Sequence, residues 1–273
     1  MNDIVNDVGI KPEELNMTSI SQKAKNRIGK FLEKYGYKVS KLNTFNLSLD
    51  LTTEEKIILE YVFKNQLTMT SRDNLASTIL AVRYIVNNKV EGDFIECGVW
   101  RGGHSIAAAL TFKLYNTNRK VFCFDTFTGM SEPSFFDKRI GSSTPALTKY
   151  EQSNNPSFNA WCYSSIDEVR NNFLNAGIHP DNFMLIEGDV IKTLPDFKPI
   201  KVAFLRLDTD WYQSTKSELE HLWPHLSKFG IITIDDYGHW EGSKKAVDEF
   251  FKTVPSIFFT PIDYSARTAI KLD

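Results

Sequence analysis

Residues 93–105 read DFIECGVWRGGHS, and the rest of the fold can be worked out from this stretch. Its first five residues form a short, mostly apolar run, which predicts a strand. The glycines that follow let the backbone turn tightly and approach a ligand closely. After the turn, apolar side chains recur at four-residue spacing, which predicts a helix over residues 103–115. The stretch therefore indicates the opening of a strand–turn–helix unit.

The alternation of short apolar runs and amphipathic stretches continues along the chain. It predicts strands at 120–124, 183–187, 201–207 and 231–234, and helices at 165–176, 215–226 and 243–252. Two last runs, 257–260 and 268–272, predict a closing antiparallel pair. Such a pattern indicates an α/β Rossmann-like sheet that is mostly parallel and covered on both faces.

The first 90 residues carry no strand pattern. Apolar stripes at helical spacing predict helices at 19–35, 53–63 and 71–87, the second of them after a capping signal. We therefore predict an N-terminal helical cap over residues 1–90 and a Rossmann-like domain over residues 91–273.

Residues 131–163 show no clear periodicity and are rich in Ser, Asn and Pro. A loop of this length in a compact domain is usually functional or disordered. The aromatic side chains in the segment favour an ordered lid over a flexible linker. They are Phe135, Phe136, Tyr150, Phe158, Trp161 and Tyr163.

Composition excludes several classes of protein. The 273 residues carry 32 basic and 34 acidic side chains, a balance that argues against a general nucleic-acid binder. No apolar run approaches the roughly 20 residues of a membrane span, and no secretory signal is visible. The three cysteines cannot all pair and form no CxxC motif, so we expect structural thiols in a reducing cytoplasm.

The glycine-rich turn predicts a nucleoside-type ligand. Trp100 stands where a dinucleotide-binding GxGxxG motif would have its second glycine, and no P-loop is present. Glu96 is placed to accept from the methionine moiety of S-adenosylmethionine, and Asp125 from ribose hydroxyls. A simple turn glycine and a helix-capping acid remain the alternative interpretation.

Four carboxylates follow two apolar strands, at Asp208, Asp210, Asp235 and Asp236. If the strands are neighbours, about 4.8 Å apart, the acids converge and repel one another unless a cation lies among them. Oxygen ligands favour Mg²⁺, then Ca²⁺ or Mn²⁺, and no His/Cys spacing supports zinc. The alternative is that these acids cap the following helices. His239 follows the last of these strands and could reach the site.

Together these motifs resemble the macrocin O-methyltransferase family, whose members methylate sugar hydroxyls on antibiotics and other glycosides. The residues that carry the resemblance are TMT at 68–70, NL at 74–75, GDFIECGVWRGG at 92–103, DTFTGM at 125–130, LRLDTDWYQST at 205–215 and DDYG at 235–238. The chain has Asp-Thr-Asp-Trp where relatives often have Asp-Gly-Asp-Leu.

The resemblance implies a Rossmann-like class I methyltransferase that uses S-adenosylmethionine and Mg²⁺. It implies Asp210 as the general base and Asp208, Asp235 and Asp236 as the metal ligands. The implied partners are a small glycoside or nucleotide-sugar and a second copy of the chain. The implied cofactor-binding residues are Thr68, Met69, Glu96, Gly98, Val99, Trp100, Ser105, Asp125, Thr126, Phe127, Gly188 and Asp189.

Other functions stay open at this point. A methyltransferase acting on a non-sugar hydroxyl, such as a catechol-like phenol, has the same sequence features. A NAD-type oxidoreductase would need the glycine turn that is missing, and a binding scaffold has no need of four clustered acids. The sugar acceptor could be a nucleotide-sugar, a glycolipid precursor or a glycosylated natural product.

Overall fold

The computed structural model describes residues 50–198, 201–255 and 257–273. The chain divides into two units, residues 1–46 and 47–273, and the description below concerns the second. The helix predicted at 19–35 lies outside the described residues. Within them, no helix combines the length and the apolarity needed to cross a membrane.

Eight α-helices occur in the described part of the chain. The first begins at a capping box, in which the Thr52 hydroxyl accepts from the Glu55 amide and the Glu55 carboxylate from the Thr52 amide. Both N-terminal helices within the described range begin within one residue of their predicted starts. The helices are α1 (Thr53–Lys64), α2 (Arg72–Asn87), α3 (Gly103–Leu114), α4 (Ala146–Gln152), α5 (Ile166–Asn175), α6 (Val190–Thr193), α7 (Tyr212–Leu222) and α8 (Glu241–Phe250).

Seven strands form one sheet, which confirms the predicted α/β class. They are β1 (Asp93–Cys97), β2 (Val121–Asp125), β3 (Phe183–Glu187), β4 (Val202–Leu207), β5 (Leu226–Ile234), β6 (Thr260–Pro261) and β7 (Arg267–Ile270). Their order is β3-β2-β1-β4-β5-β7-β6, with the first five parallel and β7 antiparallel to both of its neighbours. The order reverses between β1 and β4, which makes their carboxyl ends the switch point where ligands of such sheets bind.

Buried apolar side chains cover both faces of the sheet. Successive residues of a strand point to opposite faces. Phe94 and Phe204 therefore join one cluster with α1, α2 and α3, while Ile95, Leu205 and Leu207 join the other with α7 and α8. This double covering explains why the central strands are apolar along their length.

Two element boundaries differ from the sequence prediction. Helix α7 begins three residues before the predicted start, because its first turn receives a cap from a distant part of the chain, described below. Strand β5 begins at Leu226, five residues before its prediction, where Leu226 pairs with Val202 across a register shift. Gly230 lies inside this irregular stretch and made the strand look shorter.

The segment 131–163 is ordered by contacts with the sheet-end loops. It contains α4 and isolated bridges that join Lys138 to Pro145 and Arg139 to Trp240. The Trp211 indole donates to the carbonyl of Ser131. The aromatic residues thus predicted order correctly, while the role of the segment as a lid stays a prediction.

Candidate active site

The glycine-rich turn and the acidic loop touch through their backbones. The Asp208 amide donates to the Cys97 carbonyl at 2.8 Å, and the Asp235 amide to the Leu207 carbonyl at 2.9 Å. Gly98 adopts a φ of +82°, and a Cβ there would lie 1.9 Å from the Asp208 carbonyl oxygen. Only glycine fits this position, so the turn is shaped by the loop that carries the acids.

Asp125 holds two loops together at the end of β2. One carboxylate oxygen accepts from the amides of Val99 and Trp100, at 2.8 and 3.1 Å, and the other from the amide of Phe127 at 2.8 Å. Burial raises the pKa of Asp125, and these amide hydrogen bonds oppose the increase. The carboxylate organises the turn, and its expected contact with ribose stays a prediction.

Glu96 is buried in the last turn of β1 beneath the glycines. It accepts from the hydroxyl of Ser105 and, at 2.9 Å, from the guanidinium of Arg206. Burial raises the pKa of Glu96, while the charge of Arg206 and the Ser105 hydrogen bond lower it. Both oxygens therefore have protein partners, and contact with a cofactor stays a prediction.

The loop before α2 lies against the start of α3. A Cβ on Gly103 would lie 2.5 Å from the Leu67 carbonyl oxygen, so the two segments approach closely. The Thr68 hydroxyl contacts that of Thr70 at 2.9 Å, and the Met69 side chain is 61% exposed. The structure thus places Thr68 and Met69 beside the glycine turn, as the resemblance implied.

The end of β3 completes this side of the site. Gly188 donates to the Asp125 carbonyl at 2.9 Å, which joins the loop after β3 to the loop after β2. The Asp189 carboxylate accepts from the Ile191 amide at 3.0 Å and caps α6. Both predicted residues lie next to Asp125, and Asp189 also has a structural role.

Three carboxylates converge beyond the ends of β4 and β5. Asp208, Asp235 and Asp236 each offer an oxygen, and these atoms lie within 4.8 Å of one another. Burial, with added repulsion from neighbouring acids, raises the pKa of Asp208 and of Asp236 well above the ordinary value. This confirms the expected convergence. An all-oxygen set of crowded carboxylates fits a hard divalent cation such as Mg²⁺.

Asp210 lies beside this cluster in a left-handed conformation, with a φ of +66°. Its amide donates to the Asp236 carboxylate at 3.1 Å, and its own carboxylate accepts from the Trp240 indole. Burial raises the pKa of Asp210 to about 7, although its hydrogen bonds with Asp236 and Trp240 oppose the increase. A carboxylate with a pKa near neutrality suits the acceptance of a proton.

Arg206, which the sequence interpretation missed, lies under the acids. Its guanidinium is fully buried and pairs with Glu96, Asp208 and Asp235. Burial opposes its charge, but these three carboxylates hold the pKa of Arg206 above its ordinary value. The signal in the sequence was a single basic residue inside an otherwise apolar strand.

A neutral histidine supports this arginine. His104 is buried, with threonine hydroxyls 2.8 Å from each ring nitrogen and the Arg206 guanidinium at 3.3 Å. Burial and the charge of Arg206 lower the pKa of His104 well below its ordinary value. The Asn74 side chain similarly donates to Asp235 at 2.7 Å.

His239 lies at the rim of the site. Its Nδ1 is 2.9 Å from the Tyr264 hydroxyl, and its ring centroid is 5.0 Å from that of Trp240. Burial lowers the pKa of His239, and the nearby charges of Arg139 and Lys149 lower it further. His239 thus adjoins the partner of Asp210, as its place after the strand suggested.

Comparisons with known proteins agree with the fold and the site. The family model of macrocin-O-methyltransferase (TylF) matches residues 52–263. The 8-demethyl-8-(2,3-dimethoxy-α-L-rhamnosyl)-tetracenomycin-C 4′-O-methyltransferase of Streptomyces olivaceus is 33% identical over 171 residues, 62% of each chain. Demethyldecarbamoylnovobiocin O-methyltransferase of Streptomyces niveus is 32% identical over 187 residues, 68% of each chain. The solved structure of the O-methyltransferase NovP superposes with a TM-score of 0.66 at 28% identity, covering 76% of this chain and 83% of that one.

Proposed function

The chain belongs to the macrocin-O-methyltransferase family, and from this premise we propose that it transfers a methyl group from S-adenosylmethionine to a sugar hydroxyl. The observation that supports the proposal best is the position of the three convergent carboxylates, whose loop touches the glycine turn at Gly98. A cofactor site and an acceptor site would then share one border. The matched stretch spans 62% of the first relative, so the activity of the whole protein is part of the proposal.

The cofactor would lie over the carboxyl ends of β1, β2 and β3. The close approach of the loop at 67–69 to Gly103 supports this, as does the joining of Gly188 to Asp125. S-adenosylmethionine supplies the sulfonium methyl group and leaves as S-adenosylhomocysteine. The proposed contacts are Thr68, Met69, Glu96, Gly98, Val99, Trp100, Ser105, Asp125, Thr126, Phe127, Gly188 and Asp189.

A divalent cation, Mg²⁺ in the first place and Mn²⁺ or Ca²⁺ otherwise, would be held by Asp208, Asp235 and Asp236. The fit rests on their chemistry, because three acids with oxygens this close are relieved by a shared cation. Such an ion lowers the pKa of a hydroxyl that it binds.

Asp210 would accept the proton of the acceptor hydroxyl. The Trp240 indole and the left-handed backbone orient its carboxylate, and burial keeps its pKa close to neutrality. Proximity of the acceptor oxygen to the methyl group would supply much of the remaining rate.

The two less regular parts of the chain would enclose the site. We propose that the helical region up to residue 90 closes over the cofactor and that the segment 131–163 covers the acceptor. The three free cysteines fit a reducing compartment such as the cytoplasm, and we propose a homo-oligomer as the working form.

Sugars are preferred over phenols because of the relatives. The name of the Streptomyces olivaceus enzyme describes a rhamnosyl substrate. A catechol-like acceptor remains the second candidate, since convergent acids and a divalent ion also suit vicinal phenolic hydroxyls.

Transfer of a labelled methyl group tests the proposal. The protein is incubated with labelled S-adenosylmethionine and Mg²⁺, in parallel with a panel of glycosides and nucleotide-sugars and with a panel of catechols. Label on a sugar supports the proposal, and label confined to catechols would replace it with the second candidate. Failure to bind S-adenosylhomocysteine in a titration would remove the methyltransferase activity altogether.

A further inference from the structure

We propose that Arg139 and Lys149 form a cationic rim that binds a phosphoryl group attached to the acceptor sugar. This inference rests on the proposed function and narrows its substrate class to phosphorylated sugar carriers, that is, nucleotide-sugars or sugar diphospho-lipids. Nothing in the motifs at the strand ends specifies such a group.

Lys149 reaches the rim from α4. Its ammonium lies 4.2 Å from the centroid of the Trp161 ring, on the ring face. Trp161 packs against Trp240 at a centroid distance of 5.9 Å, and Trp240 donates its indole hydrogen to Asp210. The ammonium is therefore linked to the proposed base through two aromatic rings.

Arg139 reaches the same rim from a different part of the segment. Its backbone bridges to that of Trp240, and the next residue, Ile140, donates its amide to the His239 carbonyl at 2.8 Å. The charges of Arg139 and Lys149 both lower the pKa of His239, so the two cations approach one imidazole from two sides. Arg139 also acts on Tyr264, the hydrogen-bond partner of His239.

Neither cation is neutralised by a carboxylate within the part of the chain that the structure describes. Other cations of the sheet-end loops and helices do form such pairs, including Arg101 with Glu168 and Lys244 with Asp248. The side chains of Arg139 and Lys149 are both exposed. Two unpaired cations thus stand outside a site whose interior holds four acids.

This separation of charge suits a ligand with two chemically different ends. The acids at the strand ends would receive the hydroxyl, and an anionic group there would be repelled. At the rim, an arginine can bind two phosphoryl oxygens at once, and a lysine adds a point charge. A neutral glycoside would leave both cations without a partner.

Titrations of the protein with inorganic pyrophosphate and with UDP, in the presence of S-adenosylhomocysteine and without Mg²⁺, test the rim. We expect R139Q and K149Q each to weaken binding about fivefold to tenfold, and the double variant to abolish it. The matched control is K228Q, which removes an exposed cation from the first residues of β5, at the opposite edge of the sheet.

Labelled methyl transfer then separates the two sources of phosphate. One arm uses dTDP-rhamnose and UDP-glucose, a second uses a farnesyl diphosphate sugar, and a third uses neutral methyl rhamnoside and methyl glucoside. Transfer in either of the first two arms, with a KM that rises in the double variant while kcat is kept, supports the rim and identifies the carrier.

The rim proposal is overturned if wild type does not bind pyrophosphate or UDP, if the double variant binds them as wild type does, or if K228Q weakens binding equally. Methyl transfer to neutral glycosides with unchanged KM in the double variant would also overturn it and leave the proposed function intact. Absence of S-adenosylhomocysteine binding would instead contradict the proposed function itself.

Discussion

The guanidinium of Arg206 pairs with carboxylates from three strand ends. Glu96 belongs to β1, Asp208 follows β4 and Asp235 follows β5. Such a buried charge is tolerated only when it is paired, and removal of either partner leaves the other uncompensated. Arg206 therefore joins the border of the proposed cofactor site to the proposed metal ligands.

The conversion of Asp210 to Asn tests the proposed base. D210N keeps the size of the side chain and an oxygen that can accept from Trp240, but it cannot take up a proton. We expect turnover to fall by about 100-fold to 10,000-fold, with S-adenosylhomocysteine affinity nearly unchanged. Single-turnover methyl transfer and a cofactor titration measure the two quantities. D181N, at an exposed position, is the control, and comparable turnover in D210N would remove Asp210 from the role.

Glu218 predicts a pH dependence of stability. It is fully buried on α7, one oxygen accepts from the Thr209 hydroxyl at 2.7 Å, and the other has no hydrogen-bond partner among the described residues. Burial raises the pKa of Glu218 from 4.5 to about 8. Between these values the unfolded chain releases the proton while the native protein keeps it. Stability contributed by this group therefore falls as pH rises, by roughly 1 kcal/mol per pH unit.

E218Q removes this ionisation and keeps an acceptor for Thr209. We expect the free energy of unfolding of E218Q to exceed that of wild type by an amount that grows from pH 5 to pH 8, as measured by urea denaturation. E220Q removes an exposed carboxylate from the same helix and serves as the control. A difference between E218Q and wild type that is equal at both pH values would contradict the assignment.

The limits of prediction from sequence are clearest for the secondary-structure elements. The strands at 93–97 and 183–187 were predicted to the residue, because a short apolar run between turn residues is a local signal. The start of α7 was not, since the Tyr212 amide is capped by the Asp137 carboxylate, 75 positions away. Convergence of the acids followed from strand adjacency, whereas the interior partner Arg206 required the packed structure.

Asp137 fixes the segment 131–163 to α7. Besides the Tyr212 amide, at 2.8 Å, it accepts from the amide and hydroxyl of Ser134, each at 2.6 Å. We expect D137A to lower the free energy of unfolding by about 2 kcal/mol, because buried donors lose a charged acceptor. The segment should also be cleaved faster by trypsin, which has sites at Lys138 and Lys149.

A second variant reaches the same contact from the other side. A Cβ at Gly242 would lie 1.8 Å from the Asp137 carboxylate, so G242A should displace that side chain and reproduce the cleavage. T148A alters an exposed residue within the segment and serves as the control. Equal trypsin cleavage rates for D137A and T148A would show that the segment is held in another way.

At the scale of the whole molecule, the strand order decides where charge accumulates. The neighbouring strands β1, β4 and β5 end at one edge, and the loops after β4 and β5 carry the convergent acids. The native protein thus holds together charges that the unfolded chain keeps apart. A cation that binds only the native state stabilises it, by about 3 kcal/mol at a concentration of 100 times the Kd.

Metal removal tests this consequence of the topology. We expect excess EDTA to stop methyl transfer and Mg²⁺ to restore it, and we expect Mg²⁺ alone to raise the Tm of the cofactor-free protein. D208N and D236N should lose the Mg²⁺-dependent rise in Tm and keep the rise caused by S-adenosylhomocysteine, while D181N keeps both. Full activity in excess EDTA, or an undiminished Mg²⁺ effect in D208N, would mean that these acids serve the fold without holding a metal. Their repulsion would then be offset by Arg206 and by bound protons alone.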